Sequence, residues 1–275
     1  MTSYPRSGNT LLRALLEKIM GIVTGSDCDI SKKLNVELMN LGLLGEGLAD
    51  RRVWICKTHY PERYGKARAP IDRAILLVRS PLDAITSLFH MTGSGSHDLS
   101  ISDEDFQRFG SLWSEWIQQE IMIWFEFNKY WTSVNKNVHI IRYEDLINNR
   151  KEVLSDLLKF VFMTPSLEST RLEGYLDLAL KQEPPQIYKP RKGLVNANYE
   201  LFSEDDKKVI AIEGGKLLKN FGYYHLVMPC AEEPGVPKWI HTHNEKVLKK
   251  CLSGDFAGDE PILCNQPKIL LRRKT

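Results

Sequence analysis

Two kinds of apolar pattern alternate along this chain. Residues 11–22 are apolar and helix-like, whereas Ala74-Ile75-Leu76-Leu77-Val78 is an unbroken apolar run of the kind a buried parallel strand gives. Read in order, the pattern predicts a strand over 1–4, helices over 10–22 and 30–44, a strand over 53–57 and a Pro- and Gly-punctuated loop to Pro70. A strand over 74–78, a helix over 81–91 with Pro81 in its first turn, and a flexible connector at Gly93-Ser94-Gly95-Ser96 follow. Ser102, three residues before Asp105, caps a long helix to about Trp131. A strand over 138–142 and helices over 151–162, 166–180 and 204–221 complete the domain. Strands separated by helices predict an α/β fold of three layers, a central parallel sheet flanked by helices. No internal repeat is visible.

Three places in this pattern point to an anion. Tyr4-Pro5-Arg6-Ser7-Gly8-Asn9-Thr10 runs straight into the first helix. A glycine turn lets backbone N–H groups approach a phosphate, the helix N-terminus adds a positive dipole, and Arg6 adds a full charge, so the segment reads as a P-loop-like cradle. Taken alone, Ser-Gly-Asn at a helix start is also a plain N-cap. No Lys follows Gly8, so the magnesium-binding version of such a loop is disfavoured. Arg79 lies at the carboxyl end of the 74–78 strand with Ser87 about two turns on, at the edge where open α/β sheets bind ligands. The third place is Arg191-Lys192-Gly193, which in isolation reads as a solvated basic loop.

In this order the motifs resemble those of the sulfotransferases that use 3′-phosphoadenosine 5′-phosphosulfate (PAPS), over residues 4 to about 223. The resemblance implies that Arg6, Ser7, Gly8, Asn9, Thr10 and Leu11 form the 5′-phosphosulfate loop, and that Arg79 and Ser87 hold the 3′-phosphate. It also implies that Arg191, Lys192 and Gly193 close over that phosphate and that Tyr143, in Tyr143-Glu144-Asp145, lies near the adenine. Lys57-Thr58-His59-Tyr60-Pro61 is similar to the Lys-Thr-His segment of cytosolic members, where the His is the catalytic base. His90 and His97 are the rival candidates.

The implied reaction moves a sulfuryl group in line from PAPS to a hydroxyl or amine of a small-molecule or glycan acceptor, leaving PAP and needing no metal. His59 takes the acceptor's proton, while Arg6 and Lys57 stabilise charge on the leaving phosphate. The roughly four negative charges of PAPS are nearly balanced by Arg6, Lys57, Arg79, Arg191 and Lys192. The chain departs from the family in places: Leu11 stands where cytosolic members carry a Trp on the adenine, Asn9 replaces a Thr, and Asn196-Ala197-Asn198-Tyr199 stands where Gly-Asp-Trp-Lys is expected. Readings of other classes are a silent PAPS- or PAP-binding protein and a nucleotide-dependent kinase.

Composition narrows the rest. With 275 residues, 43% hydrophobic and 26% charged, the chain suits one large domain, 1–227, with 228–275 as a partly ordered extension. A net charge of +2 argues against nucleic acid as the main partner. No apolar run reaches the ~20 residues that cross a bilayer, and the scattered Cys28, Cys56, Cys230, Cys251 and Cys264 suit a reducing cytosol. The short first strand leaves a Golgi location open, should an anchor precede it. Those cysteines with His241 and His243 match no compact zinc pattern. Trp113, Trp116, Trp124 and Trp131, spaced along one helix, read first as core and second as an acceptor wall.

Overall fold

The structure is a computed structural model and describes residues 1–27, 36–40, 42–61, 71–94, 104, 110–133, 137–181, 198–228 and 237–255. Its main ladder pairs β3 (Arg73–Val78) with β4 (Asn137–Arg142), parallel and in register from Arg73 opposite Asn137 to Val78 opposite Arg142. A second parallel pair joins β1 (Gly25–Ser26) to β2 (Cys56–Lys57). Thr2 lies between them, in parallel bridges with Thr58 on one side and Leu76 on the other. Its N–H donates to Ile75 O at 2.7 Å and its carbonyl accepts from Leu77 N at 2.9 Å. The strand expected over 1–4 is thus a single bridging residue. Proline at position 5 cannot donate to a ladder, and Arg6 and Gly8 take positive φ, so the backbone leaves the extended path after Ser3. The strand expected over 53–57 likewise shortens to Cys56–Lys57.

Alternate residues of β3 enter different cores, as the two-residue period of a strand requires. Ala74, Leu76 and Val78 pack with α3 (Pro81–Ser94), α4 (Gly110–Ser133) and α8 (Glu204–Phe221). Ile75 and Leu77 pack with α1 (Asn9–Met20), α6 (Arg150–Phe162) and α7 (Arg171–Lys181). Two short helices, α2 (Val36–Asn40) and α5 (Tyr143–Asn148), complete the described α-helices before the tail, and Leu146 of α5 joins the second core. Helix α3 runs through Gly93 and Ser94, half of the expected connector; Gly95 and Ser96 lie outside the described residues, as do Ser102 and Asp105. Of the four tryptophans, Trp124 and Trp131 are fully buried and Trp113 nearly so, while Trp116 packs partly buried against the same cluster.

The tail supplies α9 (Lys238–Ser253), laid along the outer edge of β4. Its Ile240 joins one core and its Val247 and Cys251 the other, so it straddles the sheet edge. The Asn244 amide pairs with the strand backbone, accepting from Ile140 N and donating to Ile140 O, both at 2.8 Å. His243 Nε2 meets Val138 O at 2.8 Å. Cys56 and Cys251 are free thiols; Cys28, Cys230 and Cys264 lie outside the described residues.

Candidate functional site

Parallel strands leave all their carboxyl ends on one edge, so the residues after Thr2, β2, β3 and β4 meet there. The loop after Ser3 is tight. Arg6 (φ 64°) and Gly8 (φ 102°) both occupy the left-handed region, and Gly8 caps α1 without a side chain. A Cβ on Gly8 would lie 2.5 Å from Tyr143 Cδ2, so only glycine fits against that ring. Strain at Arg6, a residue with a full side chain, is the kind that persists where a site demands it. Ser7 is 1% exposed, and its Oγ has no hydrogen-bond partner among the described residues. A buried hydroxyl left over beside a helix N-terminus suits an anion.

Residues far apart in the chain converge on this loop. Arg6 Nε donates to Ser87 Oγ at 3.0 Å, and an Arg6 terminal nitrogen lies 3.7 Å from Met91 Sδ. Arg79 donates to Arg6 O at 3.0 Å, lies over the Tyr143 ring at 4.6 Å, and reaches Asp83 at 3.8 Å. Its Nε is buried and has no partner among the described residues. Two guanidinium groups gathered around one glycine turn make a strongly anion-directed pocket. Burial raises the Tyr143 hydroxyl pKa against the opposing pull of Arg79, so the ring stays neutral and offers an aromatic face.

The scaffold under the site rests on Glu144, buried in the first turn of α5 after β4. It accepts from Ser80 N at 3.0 Å and from Tyr223 Oη at 2.5 Å, while Trp124 Nε1 donates to Arg79 O at 3.2 Å. Sequence reasoning took Tyr143 from Tyr-Glu-Asp and missed Glu144. A carboxylate next to an apolar strand end was the available signal.

His59 follows β2 and turns towards the same loop. Its Nδ1 lies 2.7 Å from Ser3 O. A carbonyl only accepts, so Nδ1 carries the hydrogen and Nε2 keeps its lone pair. Burial, helped by the Lys57 charge, holds the ring well below its ordinary pKa, against the bond to Ser3. The result is a neutral imidazole of defined tautomer beside the Gly8 turn. Ser3 itself is completely buried and was not foreseen; Asn9 Nδ2 donates to its Oγ at 2.7 Å.

Not every candidate comes to the site in the same way. Leu11 is fully buried in the core behind α1 and presents no surface to a ligand. Thr10 is partly exposed on the first turn, and Lys57 lies at the end of β2, where its charge acts on His59. His90 lies on α3, while His97, Arg191, Lys192 and Gly193 lie outside the described residues. Just downstream of that basic motif, Asn198 Nδ2 donates to Asp83 Oδ1 at 2.8 Å, in the first turn of α3 beside Arg79. Among the described residues no cluster of His, Cys, Asp or Glu could hold a metal, and no helix is long and apolar enough to cross a membrane.

A family model described as the sulfotransferase domain matches residues 1–183. The chain is 33% identical over 162 residues to a WSCD family member of Aedes aegypti, 58% of this chain and 49% of that protein. WSCD family members of Drosophila pseudoobscura pseudoobscura and Drosophila melanogaster are each 32% identical over the same shares. The chain spans about half the length of these curated relatives.

Proposed function

This chain belongs to the sulfotransferase family, and we propose that it transfers the sulfuryl group of PAPS to a hydroxyl or amine of an acceptor. The observation that carries this reading is the convergence of Arg6, Ser87, Arg79 and Tyr143 on the Gly8 turn. In it, the two parallel ladders and the Thr2 bridges form one central sheet with helices on both faces, and the nucleotide lies along the carboxyl edge. Arg79 and Ser87 hold the 3′-phosphate, Ser7 and the α1 N-terminus the 5′-phosphosulfate, and the Tyr143 face borders the base. Arg191, Lys192 and Gly193 add charge to the same phosphate.

The acceptor oxygen or nitrogen attacks sulfur as the sulfur–oxygen bond to the 5′-phosphate breaks. The acceptor's proton passes to His59 Nε2, and PAP leaves with the bond's electrons. Arg6 and Lys57 meet the charge that grows on the leaving oxygen, so their contribution is largest in the transition state. The depressed His59 pKa favours the unprotonated form at neutral pH, which is the form a base needs.

Calorimetry with PAP and a transfer assay with labelled PAPS, screened over phenols, steroids, amines and glycans, test this directly. The wild type is expected to bind PAP and label at least one acceptor class. His59→Ala should cut transfer by ~10²–10⁴-fold while keeping PAP affinity. Binding without transfer to any acceptor would leave only a nucleotide-binding protein, and absence of PAP binding would overturn the reading.

A further inference from the structure

Asn9 opens α1, at a position where the resemblance leads one to expect a side chain facing the nucleotide, yet its contacts point the other way. Its Nδ2 donates to Ser3 Oγ at 2.7 Å, and the Ser3 hydroxyl in turn donates to Tyr4 O at 2.8 Å. Because the single hydroxyl hydrogen of Ser3 is used on Tyr4, its oxygen faces Asn9 as an acceptor, which fixes the amide with its NH₂ towards Ser3. The remaining Asn9 atom, Oδ1, is buried and has no partner among the described residues. An acceptor has nothing to offer a phosphate oxygen, which is itself an acceptor. Asn9 is only 8% exposed, so the amide is held inside the protein.

Ser3 is the residue whose carbonyl takes the Nδ1 hydrogen of His59 at 2.7 Å. Its backbone neighbour Thr2 is fixed by hydrogen bonds to Ile75 and Leu77, so the Asn9 bond supplies restraint on the loop side of Ser3. We propose that Asn9 is a positioning residue for the base: it sets the Ser3 carbonyl and, through it, the Nδ1–H tautomer that leaves His59 Nε2 free. This rests on the reading of His59 as the base. The phosphate-binding turn and the proton acceptor then share one residue, and Asn9 joins them. A neutral ring has two tautomers of similar energy, so a single misplaced acceptor is enough to redistribute them.

The test uses the full chain as wild type, Asn9→Ala, Ser3→Ala and the double variant, with ¹⁵N-labelled histidine. Long-range ¹H–¹⁵N spectra report the His59 tautomer without any acceptor substrate. We expect the Nδ1–H form in the wild type and a mixture in both single variants. Turnover should fall roughly five- to tenfold in each, as for one neutral hydrogen bond, and no further in the double variant, since both remove the same link. PAP affinity by calorimetry should change much less than turnover. Should Asn9→Ala fail to fold, Asn9→Asp keeps the shape, replaces the donor by an acceptor and should redistribute the tautomers likewise. An unchanged His59 tautomer in Asn9→Ala or Asn9→Asp, or a PAP affinity that falls as far as turnover while Ser3→Ala is silent, would overturn the proposal. A wild type that binds no PAP would overturn the functional reading instead, and the tautomer comparison would still decide the role of Asn9.

Discussion

At the scale of single residues, the site depends on where backbone and ring come closest. Gly8 and Gly21 both hold left-handed backbone, at φ 102° and 65°, but a Cβ on Gly21 would meet nothing within 4 Å. Gly21→Ala should therefore lose only the left-handed preference, about 1–2 kcal/mol by thermal melting. Gly8→Ala adds a collision with Tyr143 to that strain, so it should melt lower and bind PAP at least tenfold more weakly, the ring being displaced from Arg79. Equal melting points and equal PAP affinities for the two variants would show that the ring is free to move. That Arg6, Gly8, Arg79 and Ser87 meet at one sheet edge was legible in the sequence because each stands at a fixed spacing from a glycine turn or a strand end. Ser3 was not legible, because its contribution to His59 is a backbone carbonyl, which any residue carries.

At the scale of elements, helix boundaries were legible where caps are explicit. Helix α8 spans Glu204–Phe221 as expected, because Ser203 and Asp206 form a reciprocal capping box and Gly222 closes the other end in left-handed backbone. Helix α9 was missed. Its buried apolar positions are only Ile240, Val247 and Cys251, and two of its contacts to the sheet are made by polar side chains, His243 and Asn244, which a hydrophobic pattern counts as solvent-facing. Asn244→Ala removes both bonds to Ile140 and leaves a strand N–H and C=O to find other partners, so it should lower stability by about 1–3 kcal/mol. Hydrogen exchange at the Ile140 amide should quicken more than at Leu76. Unchanged exchange would mean that the Asn244 bonds do not hold α9 on β4.

For the whole molecule, buried histidines add to acid sensitivity. His139 is 3% exposed in β4, stacked on Phe160, and burial lowers its pKa from 6.5 to about 4, with Asp156 opposing and His243 reinforcing. The unfolded chain therefore takes up a proton first as pH falls. His139 contributes its full share of stability above pH 6.5 and loses it as pH drops towards 4, on the order of 3 kcal/mol in all. His59, also depressed, acts in the same direction. His139→Phe keeps an aromatic ring against Phe160 and should flatten the loss between pH 6.5 and pH 4 in denaturant titrations; a slope identical to wild type would assign acid sensitivity elsewhere. The pairing of Asn244 with Ile140 also bears on growth of the sheet. An added strand would bring a new row of N–H and C=O groups and hand the same need outward. An amide side chain is a single group standing on a helix, with no row of N–H and C=O groups behind it, so at Ile140 propagation ends: β4 offers no template there for a second chain to extend.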